Sequence, residues 1–499
     1  MAGHAFPDDL RMNVLHLAAE CAPLAKVGGL GDVLGALPAA TAAHGVSPSL
    51  LMPLYGGTGG EIASRAGGLE RVAAGETRYG GAPVPYAVHR ARAGAVPTYL
   101  LESAVFDPPG IYHGSGGTSL PEERFAVFQR AALDWLAGPD APAVDVLHLH
   151  DHHTALVPAL LAYDPEAIAL RRMPTVLTVH SADHQGVAPW RVWEGLRVSV
   201  PNAEPLMVED ELNALKAGVT WATAVTTVSP GYAEELATDP AVSRGLIETF
   251  RAARPRLSGI LNGIDTAVWN PATDPHLPAT YSAADLAGKA ATKAAVCAAL
   301  GLDAARPLLA YVGRLMPEKG VELLTEGIER TVRQTEASVA LLGAGDPEHE
   351  TAVRGLAGML AHDGFEGRFA PTIGFDEALA HRLYAAADVF VMPSQSEPCG
   401  LAQLYAMRYG TPPVVHAVGG LRDTVVEWDP GSSPGQARGT GFRFDAFTAE
   451  AFFGAIRAAL AAFEDADAWA RLMQNGMAAD WSWHGPAGAY AALYERVRG

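Results

Sequence analysis

Apolar residues fall into short continuous runs separated by longer amphipathic stretches, the pattern of parallel strands covered by helices on both faces. In the first half, Val14–Ala19, Ala143–Leu149 and Pro174–Val179 read as buried strands, with helices over Asp32–Ala43 and Glu123–Leu136. Pro83–Arg90 and Ala95–Leu101 read as extended segments able to form a hairpin. From about residue 307 the alternation restarts with strand Leu308–Val312, helix Val321–Arg333, strand Ser338–Leu342, helix Pro347–Ala361 and a strand near Arg368–Ile373. Helix Glu377–Ala387, strand Asp388–Met392, helix Leu401–Tyr409 and strand Pro413–His416 complete a second nucleotide-binding-type unit.

The stretch from Gly259 to Pro271, followed by Pro275 and Pro278, breaks both periods and marks the boundary between the halves. Trp481 to His484 and then Ala487–Val497 read as a closing helix that packs back across the body. The resulting division is 1–262, 263–478 and 479–499. At 499 residues and 49% hydrophobic, the chain exceeds the roughly 250–300 residues at which single cores stop growing. Ligands of parallel α/β sheets bind beyond the carboxyl ends of the strands, so reactants are expected in a cleft between the two domains.

Charge and composition remove several classes. A net charge of −19 without a basic patch argues against nucleic acid as a partner. The first residues carry no basic region followed by an apolar stretch, and no segment reaches the roughly 20 apolar residues of a membrane span; the expected location is the cytoplasm. Cys21, Cys297 and Cys399 are too scattered for a disulfide framework or a thiolate metal motif. Composition does not address the oligomeric state.

Four segments can hold a diphosphate. Lys26-Val-Gly-Gly-Leu-Gly-Asp32 follows the first strand and leads into a helix; Gly28, Gly29 and Gly31 permit close backbone approach while Lys26 supplies charge. The same loop is also readable as a structural turn. Gly313 to Gly320 puts Arg314 just after a strand and Lys319 just before a helix, a pair that is either a diphosphate clamp or surface charge. Ser394 to Leu401 shapes a turn at Glu397, a carboxylate suited to ribose hydroxyls, to developing positive charge, or simply to capping the next helix. Val418-Gly-Gly-Leu421 repeats the arrangement of strand, glycine pair and helix.

The remaining polar concentration is histidine-rich. His148 and His150 share a strand face, Asp151 and His152 lie at its end, and His180 to Gly186 follows the next strand. Such residues can hydrogen-bond sugar hydroxyls or ligate zinc or manganese, but the spacing matches no metal motif, so no metal is expected. Cys399 has no assignable histidine base and is not expected to act as a nucleophile.

Taken in order, these segments resemble bacterial glycogen synthases and plant starch synthases over nearly the whole chain. The likeness is carried by Lys26-Val-Gly-Gly-Leu, His150-Asp151, Gln185-Gly186, Leu215-Lys-Ala-Gly218, Thr227-Val-Ser-Pro230 and Leu261-Asn-Gly-Ile-Asp265. It continues through Gly313-Arg-Leu, Glu318-Lys-Gly320, Leu342-Gly-Ala-Gly-Asp346, Glu397-Pro-Cys-Gly-Leu401, Gln403-Leu-Tyr405, Tyr409-Gly410 and Thr424. The resemblance implies an α/β fold of two facing Rossmann-like domains (GT-B type) with an interdomain active-site cleft, the first domain for the glucan acceptor and the second for most of the nucleotide sugar. It implies ADP-glucose as donor, UDP-glucose as the alternative, a 1,4-α-glucan as acceptor, retention of configuration and no separate cofactor.

By the same resemblance, Lys26, Arg314 and Lys319 neutralise the departing diphosphate, His180 places its side chain beside the sugar and its carbonyl near the anomeric carbon, Asp151 contacts sugar or acceptor, and Glu397 positions the glucose. Gly28, Gly29, Gly400, Leu401, Gly419, Gly420 and Thr424 complete the donor contacts it implies. Where broader relatives of this architecture carry a second Glu eight positions after the first, Tyr405 stands here, as in the synthases. The chain departs from the family pattern elsewhere: Asp151-His-His153 replaces Asp-Trp-His, His180-Ser-Ala-Asp-His-Gln-Gly186 replaces His-Asn-Leu-Ala-Tyr-Gln-Gly, Asn213-Ala214 replaces Ser-Phe, and His416 replaces an Arg. The diphosphate side is mostly intact, and the changes gather on the sugar and acceptor side.

Overall fold

The computed structural model describes residues 11–92, 94–108, 110–112, 120–429 and 439–499; the reading of the first nine residues as free of a leader lies outside them. The chain forms two compact units, one running to Asn262 and taking up Trp483–Gly499, the other spanning Gly263–Ser482.

Among the described residues, the first unit is built on nine strands: β1 (Met12–Leu17), β2 (Val46–Pro53), β3 (Leu69–Tyr79), β4 (Ala82–Ala91), β5 (Thr98–Glu102), β6 (Val146–His150), β7 (Thr175–Val179), and two later strands. A small antiparallel sheet of β8 (Val187–Pro189), β9 (Met207–Val208) and β10 (Glu211–Asn213) interrupts the series before β11 (Ala224–Thr227) and β12 (Leu257–Gly259) rejoin the main sheet. The main order is β12-β11-β7-β6-β1-β2-β5-β4-β3. It is parallel from β12 to β5, which fits its near-continuous apolar runs, because a strand covered on both faces has no solvent side to make polar.

The expected extended segments are β4 and β5, which pair antiparallel. The tight hairpin, however, joins β4 to β3 through Gly80 and Gly81, both at positive φ (62° and 87°), the conformation that a two-residue turn between twisted strands requires. Strands β2 and β3 escaped the sequence reading. Pro48 and two serines interrupt the apolar run of β2, while edge strand β3 carries Glu70, Arg71, Glu76 and Arg78. The closing helix, His484–Arg498, belongs to the first unit, where Tyr490 and Tyr494 are fully buried.

Among the described residues, the second unit has one six-stranded parallel sheet: β13 (Leu308–Val312), β14 (Ser338–Gly343), β15 (Phe369–Ile373), β16 (Val389–Met392), β17 (Pro413–His416) and β18 (Phe442–Phe444), in the order β15-β14-β13-β16-β17-β18. Leu309, Val339, Val389 and Val414 sink one sheet face into a core with Leu324, Ile328 and Phe452, while Leu308, Ala310, Phe390 and Val415 sink the other with Leu383 and Tyr384. Both faces are therefore covered, as in a Rossmann unit. No helix among the described residues is long and apolar enough to cross a membrane.

Gly320 shows how tightly the strand-end loops are built. It has φ of 68°, and a Cβ there would stand 2.2 Å from the Pro393 carbonyl oxygen, so any side chain must move the backbone of a neighbouring loop. Gly320→Ala should cost about 1–3 kcal/mol in backbone strain alone, read as a lower urea midpoint; an unchanged midpoint would contradict this account.

Candidate active site

In the first unit the candidate residues gather at the carboxyl ends of β1, β6 and β7. β1 ends and the chain turns through Glu20, whose buried carboxylate accepts the Val27 and Gly28 N–H groups at 2.6 and 3.0 Å and also the Tyr112 hydroxyl. The glycine loop ahead of helix Gly29–Thr41 is thus folded around an internal anion, and Gly28 has its N–H engaged. Lys26 pairs with Asp32 at 2.6 Å, both partly exposed. Glu20 was missed by the sequence reading; its signal was a lone acid closing the otherwise apolar run from Val14.

The parallel pairing of β6 with β7 brings Asp151 beside His180. The Asp151 N–H donates to the Thr178 carbonyl at 3.0 Å, and the His180 N–H donates to Asp151 Oδ1 at 2.7 Å. Asp151 adopts φ of 57° and ψ of −173°, a conformation costly for a non-glycine residue and one that concentrates at functional sites. Burial pushes its carboxyl up to about 7 despite the hydrogen bonds from His180 and Ser181. Near neutral pH it is therefore able to serve either as donor or as acceptor.

Behind these two residues lies a buried histidine cluster. His16 Nδ1 is 3.1 Å from His150 Nε2, and His150 Nδ1 is 3.0 Å from His180 Nε2. His148 is held between the Tyr494 hydroxyl and Thr178 Oγ1, each at 2.7 Å. Ring nitrogens of His16, His148 and His150 come within 4.8 Å of one another. Five of those six nitrogens already meet a neighbouring side chain, and among the described residues no carboxylate joins the group to balance a buried cation. The geometry is that of a neutral hydrogen-bonded cluster. His16 was also missed, although a single polar residue at the centre of strand β1 was the clue.

Several of the departures from the family pattern are held by local hydrogen bonds or packing. Asn213 donates to Gln185 Oε1 at 2.6 Å while its own Oδ1 caps the following helix at the Lys216 N–H. Gln185 donates on to the carbonyls of Ala182 and Arg244, and Arg244 pairs with Asp183 at 2.6 Å. The His152 ring packs on His153 with centroids 3.7 Å apart and closes over Gly186, where an added Cβ would meet it at 2.9 Å.

In the second unit, the loops after β13 and β16 are knitted together. Gln395 and Ser396 N–H groups donate to the Glu318 carbonyl at 2.9 and 3.3 Å. Lys319 Nζ donates to Glu397 Oε2 at 2.6 Å, and Ser394 Oγ donates to the same oxygen at 2.9 Å. Glu397 is 5% exposed, so these partners take the place of water around its carboxyl group. Arg314 pairs with Glu318 at 3.0 Å and is largely exposed. The Gly420 N–H donates to the Glu397 carbonyl at 3.0 Å, and a Cβ on Gly420 would lie 2.2 Å from the Cys399 carbonyl oxygen. Gln403 ties the turn together through the Cys399 and Gly400 carbonyls and Thr424 Oγ1. Leu401 stands at the N-cap of the helix Ala402–Arg408, and Gly419 opens the short helix Gly419–Thr424. His416 bridges the carbonyls of Ser394 and Asp445 at 2.8 and 3.2 Å. Lys319, Glu397, Gly400, Gly420 and Thr424 thus share one web of contacts, with Arg314 on its exposed side.

Two Rossmann-like units, one ending in a paired cation and carboxylate on glycine-shaped loops, define the class: a glycosyltransferase of the GT-B type. Residues 13–252 match the family described as starch synthase catalytic domain, and residues 306–462 match glycosyl transferases group 1. The chain is 45% identical over 493 residues to the glycogen synthase of Anaeromyxobacter sp. (strain Fw109-5), covering 97% of this chain and 99% of that one. It is 42% identical over 494 residues to the glycogen synthase of Deinococcus deserti, covering 97% and 99%. The solved catalytic domain of starch synthase IV from Arabidopsis thaliana, bound to ADP and acarbose, aligns with a TM-score of 0.84 at 32% identity over 98% of this chain and 99% of that one. The chain belongs to the glycogen and starch synthase family and is a nucleotide-sugar-dependent glucosyltransferase.

Burial of the histidines has a measurable consequence. Desolvation pushes His16, His152 and His180 down to about 3, and His148, His150 and His153 well below their ordinary value. Between about pH 3 and 6.5 the unfolded chain binds protons that the folded one refuses, so stability is lost as pH falls below about 6.5. Asp151 acts oppositely, holding its proton up to about 7 when folded, and burial raises Glu122 and Asp134 in the same direction, but three groups stand against six. The urea midpoint of the first unit should therefore drop steadily from pH 7 to pH 5; a flat profile would contradict neutral burial.

Proposed function

We propose that the chain transfers glucose from ADP-glucose to the non-reducing end of a 1,4-α-glucan, with retention of configuration and release of ADP, in the cytoplasm. The observation that carries this reading is the buried Lys319–Glu397 pair on loops whose glycines admit no side chain. The ammonium has three donors and one is engaged with Glu397, so the others are available to phosphate oxygens. The Arabidopsis relative's ADP supports an adenosine-linked donor over UDP-glucose.

In this reading Arg314 and Lys319 of the second unit, with Lys26 of the first, neutralise the diphosphate as the bond to the anomeric carbon opens. That raises the rate because the attraction grows as negative charge accumulates on the leaving group. The sugar carbon becomes cationic; the His180 carbonyl and the Glu397 carboxylate supply the compensating negative potential. Asp151, poised near neutrality, hydrogen-bonds a sugar or acceptor hydroxyl. Gly28, Gly29, Gly400, Leu401, Gly419, Gly420 and Thr424 line the donor. Attack from the face of the departing phosphate, assisted by that phosphate, accounts for retention without an enzyme-bound glucosyl group. Exclusion of water prevents hydrolysis of the donor.

A second reading, a related transferase with another acceptor or donor, is motivated by His152 and His184 standing where the family has Trp and Tyr. A matrix of ADP-glucose and UDP-glucose against glycogen, maltooligosaccharides and small alcohols separates the two; transfer only to a non-glucan acceptor would overturn the first. Arg314→Ala and Lys319→Ala should each reduce kcat/KM by the equivalent of about 2–4 kcal/mol if the contacts are desolvated in the complex. Unchanged kcat/KM in both variants would refute the diphosphate assignment.

A further inference from the structure

His16, His150 and His180 form a line of three imidazoles joined by two short contacts, His16 Nδ1 to His150 Nε2 at 3.1 Å and His150 Nδ1 to His180 Nε2 at 3.0 Å. His16 and His150 are fully buried, and among the described residues no carboxylate is hydrogen-bonded to any of the three rings. Each is therefore neutral, carrying one N–H and one lone pair. In such a line the N–H groups must all point the same way, because two lone pairs or two N–H groups cannot face each other at this distance.

Only two arrangements exist. If protons point toward His16, then His180 Nε2–H donates to His150, His150 Nε2–H donates to His16 Nδ1, and His16 is left with its N–H on Nε2. That atom is buried and has no hydrogen-bond partner among the described residues. A buried N–H without an acceptor is the rarer and costlier orphan. If protons point toward His180, His16 Nδ1–H donates to His150, His150 Nδ1–H donates to His180 Nε2, and the orphan is a bare lone pair. The second arrangement leaves His180 with its proton on Nδ1.

We propose that His16 and His150 are positioning residues that fix the tautomer of His180, making its Nε2 an acceptor and presenting Nδ1–H as a donor to a hydroxyl oxygen of the transferred glucose. Neither residue touches substrate; both act through His180. The histidine cluster is braced from behind by the closing helix, since Tyr494 holds His148, whose ring lies 4.1 Å from that of His150 and 4.8 Å from that of His16. The orientation of a residue at the strand end is in this way set by three strands and the last helix of the first unit. This inference rests on the assignment of His180 to the glucose, but its direct test does not.

The test is the 15N spectrum of the full-length chain labelled in its histidines, with the His180 signals assigned by their disappearance in His180→Gln. The expected wild-type result is a protonated Nδ1 and an unprotonated Nε2 on His180; a proton on Nε2 overturns the proposal whatever the variants do. His16→Phe keeps a ring of similar shape but removes the donor to His150, so it should mix the His180 tautomers and lower kcat by about 10-fold, the scale of one neutral hydrogen bond, with a smaller change in the KM for glucan. His16→Asn, whose amide can donate from nearly the Nδ1 position, should restore the His180 pattern and most of the lost rate. A His16→Phe spectrum and rate equal to wild type would also overturn the proposal. If the proton pattern holds and switches as expected while no sugar transfer is found, the relay stands and the glucose assignment falls.

Discussion

A charged or polar group withdrawn from water must be met by fixed partners, and nearly everything at the strand ends of this protein follows from that requirement. Glu397 is the sharpest instance: almost wholly buried, it is held by Lys319 and Ser394, and the loop bearing Lys319 is held in turn by N–H groups of Gln395 and Ser396. Breaking such a pair by removing one partner leaves an uncompensated charge, which is far costlier than never having buried either. The two loops are therefore committed to one mutual arrangement before any substrate arrives. That is preorganisation in its physical sense, with dipoles and charges oriented in advance.

The first unit meets the same requirement with different chemistry. Its glycine loop wraps the Glu20 carboxylate, so the N–H groups of Val27 and Gly28 are oriented by an internal anion. Its histidines are kept neutral by burial and paired ring to ring, and Asp151 is held near its midpoint at neutral pH in a backbone conformation that few residues tolerate. The second unit thus presents a fixed ion pair, whereas the first presents neutral groups able to donate or accept. The division suits a reaction in which one partner leaves as an anion and the other is a set of hydroxyls.

Much of this was legible before the structure. Strands such as Leu308–Val312 and Pro413–His416 are bounded as read, because they are buried on both faces and their apolar runs are unbroken. Strands β2 and β3 were not legible: one is interrupted by Pro48, and the other, at the sheet edge, alternates with charges as a solvated strand should. Among candidate site residues, the glycine and cation motifs announce themselves because only glycine fits such loops and a cation at a helix start is a recognisable signal. Glu20 and His16 do not. Each is a single polar letter in an apolar run, and its role appears only once parallel pairing places β1 beside β6 and the turn after it under the Lys26 loop.

That contrast explains where the chain departs from its family's pattern. Loops shaped by backbone necessity, with a glycine Cβ forbidden by a carbonyl 2.2 Å away at Gly320 and Gly420, cannot change without moving their neighbours. The loop Ser181–Gly186 is held instead by side chains: Asn213 and Gln185 by paired amides, Asp183 by Arg244. Side-chain scaffolding can be exchanged piece by piece as long as each donor still finds an acceptor, and here Ser181 bonds Asp183 while Asn213 bonds Gln185. Variation therefore collects in the loops after β6 and β7, which are specified by interchangeable polar partners, while the loops after β13 and β16 are specified by the shape of the backbone itself.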